Sequence, residues 1–490
     1  MSATIADMLR LHARNRPQHD AVVHDGGTIR YALLDRIVDA LCMTLVQAGV
    51  RPGDLVGLSL PDDVRHLVAL LAVIRVGGVI LPLDRRWTRR ERQDVTTRFG
   101  AAIVLTDEHP APAGWLFIGD APPEPATSPF DAPAVAIDAP MVLSLSSGTT
   151  GAPKGPRLTH RQLISRFMVY WIDIGLGARD RFVIATPLFF GGGRAFALAM
   201  IYAGGTVCLF PPPFEPAELT HFVARIRATA MFLVPTQLRR LLAEERNGQV
   251  AFRQLRALIS SGAALFANEA AAVRERLSPS LYQYYATTEA GGITLLPPEA
   301  QDAHAGSVGR PCFGVDVAVV DGEGQALPAG ETGRLRYRSP ASPTGYHVGD
   351  PSGAFADGWF YPGDLARFDA DGYLYLQGRA KDIIIRGGVN IHPADIERTL
   401  LDMPGIADAA VTAIPSAEFG EEVAAFIVRS AEIGNAEIRA FCAERLARYK
   451  VPGAIVFVDA LPRNSAGKVV KTQLLPLWQA DQARRSAACQ

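Results

Sequence analysis

Residues Ser144-Leu-Ser-Ser-Gly-Thr-Thr-Gly-Ala-Pro-Lys-Gly155 place three Ser, two Thr, three Gly and one Lys in a short span. Glycines let backbone N–H groups turn toward one point and approach a ligand closely. Hydroxyls add donors, and Lys154 adds a positive charge on a flexible stem. This is the chemistry of a polyphosphate cradle. The span is not a Walker A loop, because Pro153 stands where the second Gly belongs and Gly155 where the Ser/Thr belongs. A Ser/Thr/Gly surface linker has the same composition, but the flanks speak for a built site. The apolar run Met141-Val-Leu143 precedes the loop. Thr159-His-Arg-Gln162 follows as a capping box ahead of Leu163, Ile164 and Phe167. The expected order is strand, glycine loop, then helix, as α/β proteins present phosphate sites.

Other chemistry-bearing residues follow along the chain. Tyr284-Tyr-Ala-Thr-Thr-Glu289 ends in a hydroxyl and a carboxylate. Glu289 could ligate Mg²⁺, a hard cation held by few carboxylates plus phosphates, and Thr288 could donate to a phosphate oxygen. A helix cap is the plainer reading of such a pair. Tyr361-Pro-Gly-Asp364 reads alone as a β-turn. Lys468 would read alone as a solvated loop lysine.

Elements able to position these groups can be read from periodicity. Helix-like and strand-like segments alternate from about 30 to 290, as in α/β architecture. Short β-like runs with Gly turns occupy 306–377, such as Val315–Val320 and Gly333–Arg338. A Pro/Ala connector fills 121–140. A smaller α+β unit starts near 380. In it Ile383–Ile385, Ala409–Ile414 and Val423–Val428 read as strands, and Pro393 sits at a helix start. Asn435 is expected to cap a helix placing Ile438, Phe441, Cys442, Leu446 and Tyr449 on one face.

Composition narrows the class. The 490 residues are 48% hydrophobic and 20% charged, as in a globular protein that can bury several cores. A net charge of −1 excludes the broad basic field of a nucleic-acid binder. Five scattered cysteines without a C-x-x-C pair suggest neither a disulfide framework nor a zinc site and fit a reducing cytoplasm. The N-terminus lacks the pattern of a signal peptide. Residues 67–83 and 182–210 are apolar but broken by Arg and Gly, so buried helix, turn and strand is expected there instead of a membrane span.

Ser146–Gly155 with Thr159-His160 resembles the signature of the adenylate-forming (AMP-binding) superfamily, which contains acyl-CoA synthetases, peptide-synthetase adenylation domains and luciferases. Ser261-Gly-Ala-Ala264, the Tyr284–Glu289 segment, Gly306–Gly309, Gly330–Gly333, Gly345-Tyr346, Tyr361–Asp364, Gly378–Asp382, Gly387–Glu397 and Leu461–Lys471 match the family's landmarks in order, from about residue 20 to 475. The family usually has Gly at Ala286, Thr at Pro362, Pro at Ala264 and often His at Phe190.

The resemblance implies an N-terminal α/β domain over 1–380, built of two doubly wound αβ subdomains plus a small β-rich subdomain. A small mobile α+β C-terminal domain over 381–490 would follow. It implies that Ser146, Ser147, Gly148, Thr149, Thr150, Gly151 and Lys154 hold phosphates. Gly262, Ala263, Ala264, Tyr285 and Ala286 would flank the adenine, with Thr288 beside the phosphates. Asp364 and Arg379 would take the ribose. Glu289 would bind Mg²⁺, Lys381 would be the hinge, and Lys468 would bridge the reacting carboxylate and the α-phosphate. Phe189, Phe190, Gly192, Arg194, Val234 and Ser261 would line the acid pocket, with glycines 191–193 leaving room for an aromatic or medium-length acid. Gly387 and Gly388 would line a thiol tunnel after the small domain rotates.

The implied activity is ATP-dependent formation of an acyl-adenylate with release of pyrophosphate, then transfer to CoA. Loading of a carrier-protein phosphopantetheine, transfer to another nucleophile, and a phosphotransferase releasing ADP are the alternatives. A small carboxylic acid is the expected partner. Neither nucleic acid nor a membrane span is expected.

Overall fold

The computed structural model describes residues 4–147, 153–244, 249–347, 353–416, 418–464 and 468–488. Two sheets dominate the first three-fifths of the chain. In the larger, of nine strands, the parallel centre runs Leu281–Thr287, Ala257–Ser260, Ala230–Leu233, Arg181–Ile184, Thr206–Leu209, Asp20–His24. Gly291–Leu296 and Gly27–Arg30 close it as antiparallel neighbours at either side. The other sheet has six strands, with Val79–Pro82, Leu55–Ser59 and Ile103–Thr106 parallel at its centre. These central strands are buried on both faces and read as continuous apolar runs, as parallel sheets require. Helices Val64–Arg75, His160–Ile172 and Gly191–Ala203 share one core with strands of both sheets, through residues such as Leu67, Phe167 and Phe196.

The apolar stretches at 67–83 and 182–210 are buried helix, turn and strand. Among the described residues no helix is long and apolar enough to cross a membrane. A third, β-rich sheet contains Asp316–Val320, Gly333–Arg338, Asp364–Phe368 and Leu374–Arg379. It ends at Arg379, and a single 3₁₀ turn at Ala380–Asp382 leads into a separate five-stranded sheet. That last sheet has its own core of Ile384, Ile396, Leu400, Val411, Val423, Ile427, Ile438 and Cys442.

Three local expectations shift. The strand expected at 383–385 is Ile384–Arg386. The helix after 433 starts at Asn435 and is capped by Gly434, whose N–H is held by the Glu437 carboxylate at 2.7 Å. That helix stops at Arg445 and buries Ile438 and Cys442 only, because the backbone turns extended at Leu446; Tyr449 lies beyond it, exposed. Finally, the glycine loop is not followed directly by a helix. Ser146–Ser147 pairs with Pro153–Lys154 as a short hairpin, and strand Arg157–Thr159 returns along Pro140–Leu143 before the helix begins. The capping box at Thr159 and Gln162 is present as expected.

Candidate active site

The hairpin expected to hold phosphates is framed by Ser146 opposite Lys154 and Ser147 opposite Pro153. Gly148, Thr149, Thr150 and Gly151 lie outside the described residues. The base of the hairpin explains its last glycine. A Cβ on Gly155 would stand 2.1 Å from the Ser144 carbonyl oxygen, an overlap that no side chain can relieve.

Across from it, Leu281–Thr287 ends in a turn that reverses into Gly291–Leu296. Thr288 and Glu289 sit on this hairpin turn and cap no helix. The two threonines divide their work. The Thr287 hydroxyl bonds Tyr337 Oη at 2.5 Å and accepts from the Ala290 N–H at 3.2 Å. The Thr288 side chain has no such bond among the described residues. Glu289 Oε1 accepts from Tyr346 Oη at 2.9 Å. Ala286 occupies extended strand, paired with Gly292 at a register shift, so its methyl meets no left-handed backbone there.

Strand register builds the next part. Asp364 opens one strand and stands directly opposite Arg379, the last residue of the next. That pairing gives the Arg379 Nε to Asp364 Oδ1 contact of 3.0 Å. Tyr285 Oη donates to the other carboxylate oxygen, Oδ2, at 2.5 Å. Burial, then the Asp364 charge, pushes the Tyr285 phenol well above its ordinary range, so it stays a donor.

Lys468 arrives from the small unit. Its loop is pinched by Asn464 N–H to Lys468 O at 2.9 Å and Lys468 N–H to Asn464 Oδ1 at 3.0 Å. Lys471 anchors the same segment on Glu397 (3.0 Å) and the Val411 carbonyl (2.9 Å). Lys468 is an exposed residue, yet its ammonium is held below the ordinary lysine range. Desolvation by the surrounding protein is the main cause, followed by the Arg379 charge; Asp364 and Glu289 pull the other way. Lys468, Arg379, Asp364 and Glu289, far apart in sequence, therefore share one electrostatic neighbourhood. Lys381 lies in the connecting 3₁₀ turn. Gly387 and Gly388, with φ of +55° and +84°, form the two-residue tip between Ile384–Arg386 and Val389–Ile391, a turn shape that favours glycine.

Among the described residues no cluster of three His, Cys, Asp or Glu could hold a metal. A single carboxylate on a turn fits Mg²⁺, which keeps waters and substrate phosphates as its other ligands.

The region expected to line the acid pocket is built differently. Val234 starts the Pro235–Leu242 helix, and Ser261 begins the turn Ser261-Gly-Ala-Ala264 after strand Ala257–Ser260. Gly262 has φ +100°. The Ala264 carbonyl accepts from Arg239, which also pairs with Glu269. Phe189 and Phe190 are half-buried, with Arg86 stacked 5.2 Å from the Phe189 ring. The three glycines do not all leave room. A Cβ on Gly191 would meet open space, but on Gly192 it would stand 2.7 Å from the Phe232 ring, and on Gly193 2.5 Å from the Pro187 carbonyl oxygen. Close helix-to-strand and helix-to-loop packing uses the second and third glycines. Arg194 has no carboxylate partner among the described residues. It is buried, and its Nη1 donates to the carbonyls of Leu188 (3.3 Å) and Phe189 (2.7 Å). Burial first, then the Arg166 charge, lowers it to about 10.

Three residues escaped the sequence reading. Asp62 braces the 187–190 loop from the other side, accepting from the Leu188 N–H at 2.6 Å, and burial raises it to about 6. Tyr346 was visible only as a landmark. Arg166 lies beneath the Thr288–Glu289 turn. Its signal was present: a charged residue on the apolar face shared by Leu163, Phe167 and Tyr170 of an amphipathic helix.

Comparison with known proteins identifies the family. The family model described as AMP-binding enzyme matches residues 9–347, and that of the AMP-binding enzyme C-terminal domain matches 395–468. The chain is 34% identical over 476 residues to a feruloyl-CoA synthase of Amycolatopsis sp, covering 94% of this chain and 96% of that protein. It is 30% identical over 517 residues to the fatty acid–[acyl-carrier-protein] ligase ScoC of Streptomyces coeruleorubidus, covering 98% of each. The ATP-bound crystal structure of MatB from Rhodopseudomonas palustris superposes with a TM-score of 0.89 at 30% identity, over 97% of this chain and 99% of that one. This chain belongs to the AMP-binding enzyme family of adenylate-forming proteins and is an enzyme of the acid–thiol ligase type.

Proposed function

We propose that the enzyme joins a carboxylic acid to AMP and then passes the acyl group to the thiol of CoA. The observation that carries this reading is the presence of Lys468 in the neighbourhood of Glu289, Asp364 and Arg379. A carboxylate resists a thiol because its leaving group would be oxide. Attack of its oxygen on the α-phosphorus of ATP breaks the bond to the β-phosphate oxygen, releases pyrophosphate and leaves a mixed anhydride. Two anions must meet for this. Lys468 offers its ammonium between them, and the Ser146–Lys154 hairpin holds the departing phosphates. Mg²⁺ on Glu289 would neutralise further phosphate charge. The ribose hydroxyls fall to Asp364, whose carboxylate is oriented by Tyr285 and Arg379. The thiol sulfur then attacks the acyl carbon and AMP departs, with Gly387 and Gly388 lining the thiol's approach once Lys381 has turned and Lys468 has left. No side-chain nucleophile is required.

On this reading the domain boundary falls at 380/381. The acid is aromatic or of medium length, in keeping with Phe189, Phe190 and Phe232 and with the feruloyl substrate in the relative's name. Likeness to ScoC makes a carrier-protein thiol the second candidate acceptor. Acid-dependent exchange of labelled pyrophosphate into ATP, run over a panel of acids, tests the first half. Incubation with CoA or a phosphopantetheinylated carrier protein decides the acceptor. ADP as product in place of AMP would overturn the reading.

A further inference from the structure

We infer that Arg166 is a positioning residue that fixes the Thr288–Glu289 turn for metal–nucleotide binding. Arg166 is 6% exposed and stands on the His160–Ile172 helix, which follows the hairpin after strand Arg157–Thr159. Its Nη1 donates to the Thr288 carbonyl at 3.1 Å, while Nη2 donates to the carbonyls of Glu289 and, at 3.4 Å, Ala341. One planar fork therefore holds two consecutive carbonyls of the turn that carries the Thr288 hydroxyl and the proposed metal carboxylate. Lysine could not replace that geometry, since it offers a point charge and no fork.

The turn is shaped to lie on this arginine. Gly291 has φ +77°, and a Cβ there would stand 2.8 Å from Arg166 Cγ. The segment 339–347 is held by the same assembly. Gln162, one turn earlier on the helix, donates to the Ser342 carbonyl at 2.9 Å. Tyr346 donates to Glu289, and the His347 N–H donates to the Gly155 carbonyl at 2.9 Å. Nucleotide hairpin, metal carboxylate and β-rich sheet thus meet around one helix, and Arg166 is the only described side chain that touches both Thr288 and Glu289 carbonyls. No carboxylate lies within ion-pair distance of it among the described residues. Its two terminal nitrogens spend their bonds on backbone, as expected of a group that sets a loop's height, while the buried Nε has no partner. Displacements well below 1 Å at such a turn change rates strongly.

The inference rests on the reading of Glu289 as the metal carboxylate. The test compares Arg166→Met and Arg166→Lys with wild type in the full chain. Three readouts are taken: Mn²⁺ binding to the enzyme–ATP complex by electron paramagnetic resonance, steady-state pyrophosphate release across a Mg²⁺ titration, and thermal melting. Arg166→Met is expected to weaken Mn²⁺ binding and lower kcat by about 10- to 100-fold. The KM for the acid and the metal-free affinity for ATP should stay within about twofold. Arg166→Lys should recover part of the loss. Mn²⁺ binding and kcat within about twofold of wild type, with only the melting temperature lowered, would reduce Arg166 to packing and overturn the inference. If Arg166→Met does not fold, Arg166→Lys decides alone, and wild-type Mn²⁺ affinity in it overturns the inference. Wild-type enzyme that shows no acid-dependent pyrophosphate release sinks the adenylation reading instead; the Mn²⁺ comparison still judges Arg166.

Discussion

Buried arginines in this chain come in two kinds. Arg75, 2% exposed, is met by Asp35 at 2.5 Å and Asp39 at 2.7 Å, and Arg10 joins the same pair of carboxylates. Arg166 and Arg194 are as deeply placed but lean on main-chain carbonyls, with no carboxylate partner among the described residues. A carboxylate cancels a guanidinium's charge. A carbonyl only orients it, and the remaining positive field reaches the neighbours: Arg194 is lowered first by its burial and then by the Arg166 charge. The first kind belongs to a self-contained structural knot. The second surrounds the place where a polyphosphate and a carboxylate are proposed to meet. Charge balance, more than burial, separates scaffold from site here.

The sharpest break of this contrast uses the site's exposed cation. Lys468→Ala is expected to lower adenylate formation by about 10²–10³-fold, the scale of a lost transition-state charge contact. It should spare thioester formation from supplied acyl-adenylate and leave thermal melting unchanged. Equal loss in both half-reactions would end the two-step account. In the wild type, adenylation should fail on the alkaline side at a pH below the ordinary lysine range, because deprotonation of Lys468 is favoured by its surroundings. A pH profile of exchange, with Lys468→Arg as the non-titrating control, reads this limb.

Arg75→Met should do the reverse. It leaves half-buried Asp35 and buried Asp39 with Arg10 as their remaining cation and is expected to cost about 3 kcal/mol in urea unfolding, with exchange activity per folded molecule intact.

Next in size is acid sensitivity. His66 and His160 are buried; the His160 ring nitrogens lack partners, while His66 has the Asp62 carboxylate 3.8 Å from Nδ1 and the Leu60 and Pro61 backbone beside its ring. Burial lowers both from 6.5 to about 4, with Arg194 adding to the effect at His66. Between these values the unfolded chain binds a proton that the folded chain refuses. Stability is therefore complete above pH 6.5 and falls as pH drops toward 4, by about 3 kcal/mol per histidine. Unfolding measured at pH 7 and pH 5 should show the fall, and His66→Gln with His160→Gln should flatten it.

The smallest effect is expected from Arg194→Met. Loss of two bonds to the 187–190 loop should cost about 1–3 kcal/mol and raise the KM of every acid tested. A loss confined to acids with a second negative group would instead place the Arg194 guanidinium in contact with substrate.

Much of this was legible because local chemistry and periodicity coincide. The Thr159 capping box, the double-faced apolar strands and the switch to short β-runs after 306 all announce themselves in neighbouring residues. What stayed hidden is carried by register and by carbonyls. The Arg379–Asp364 contact depends on a cross-strand pairing, and the Arg166 bonds end on backbone oxygens that every residue possesses. Asn435 misled because the helix begins one residue earlier, with Asn435 in its first turn and the Gly434 N–H held by Glu437. The glycines at 191–193 misled because a missing side chain can mean either empty space or tight packing, and composition does not say which.

The one-turn connector at Ala380–Asp382 has a mechanical consequence. Arg379 is locked into the β-rich sheet by its pairing with Asp364, and the next residue, Ala380, donates to the Gly363 carbonyl at 2.9 Å. The proposed pivot of the small unit is thus hardly one step beyond the proposed ribose clamp. A lever hung so close to its bearing can sweep Lys468 through a long arc while displacing Arg379 scarcely at all. In the proposed cycle the adenylate would stay gripped by its sugar throughout the exchange of partners, and the costly bond made in the first step would not be shed to water during the second.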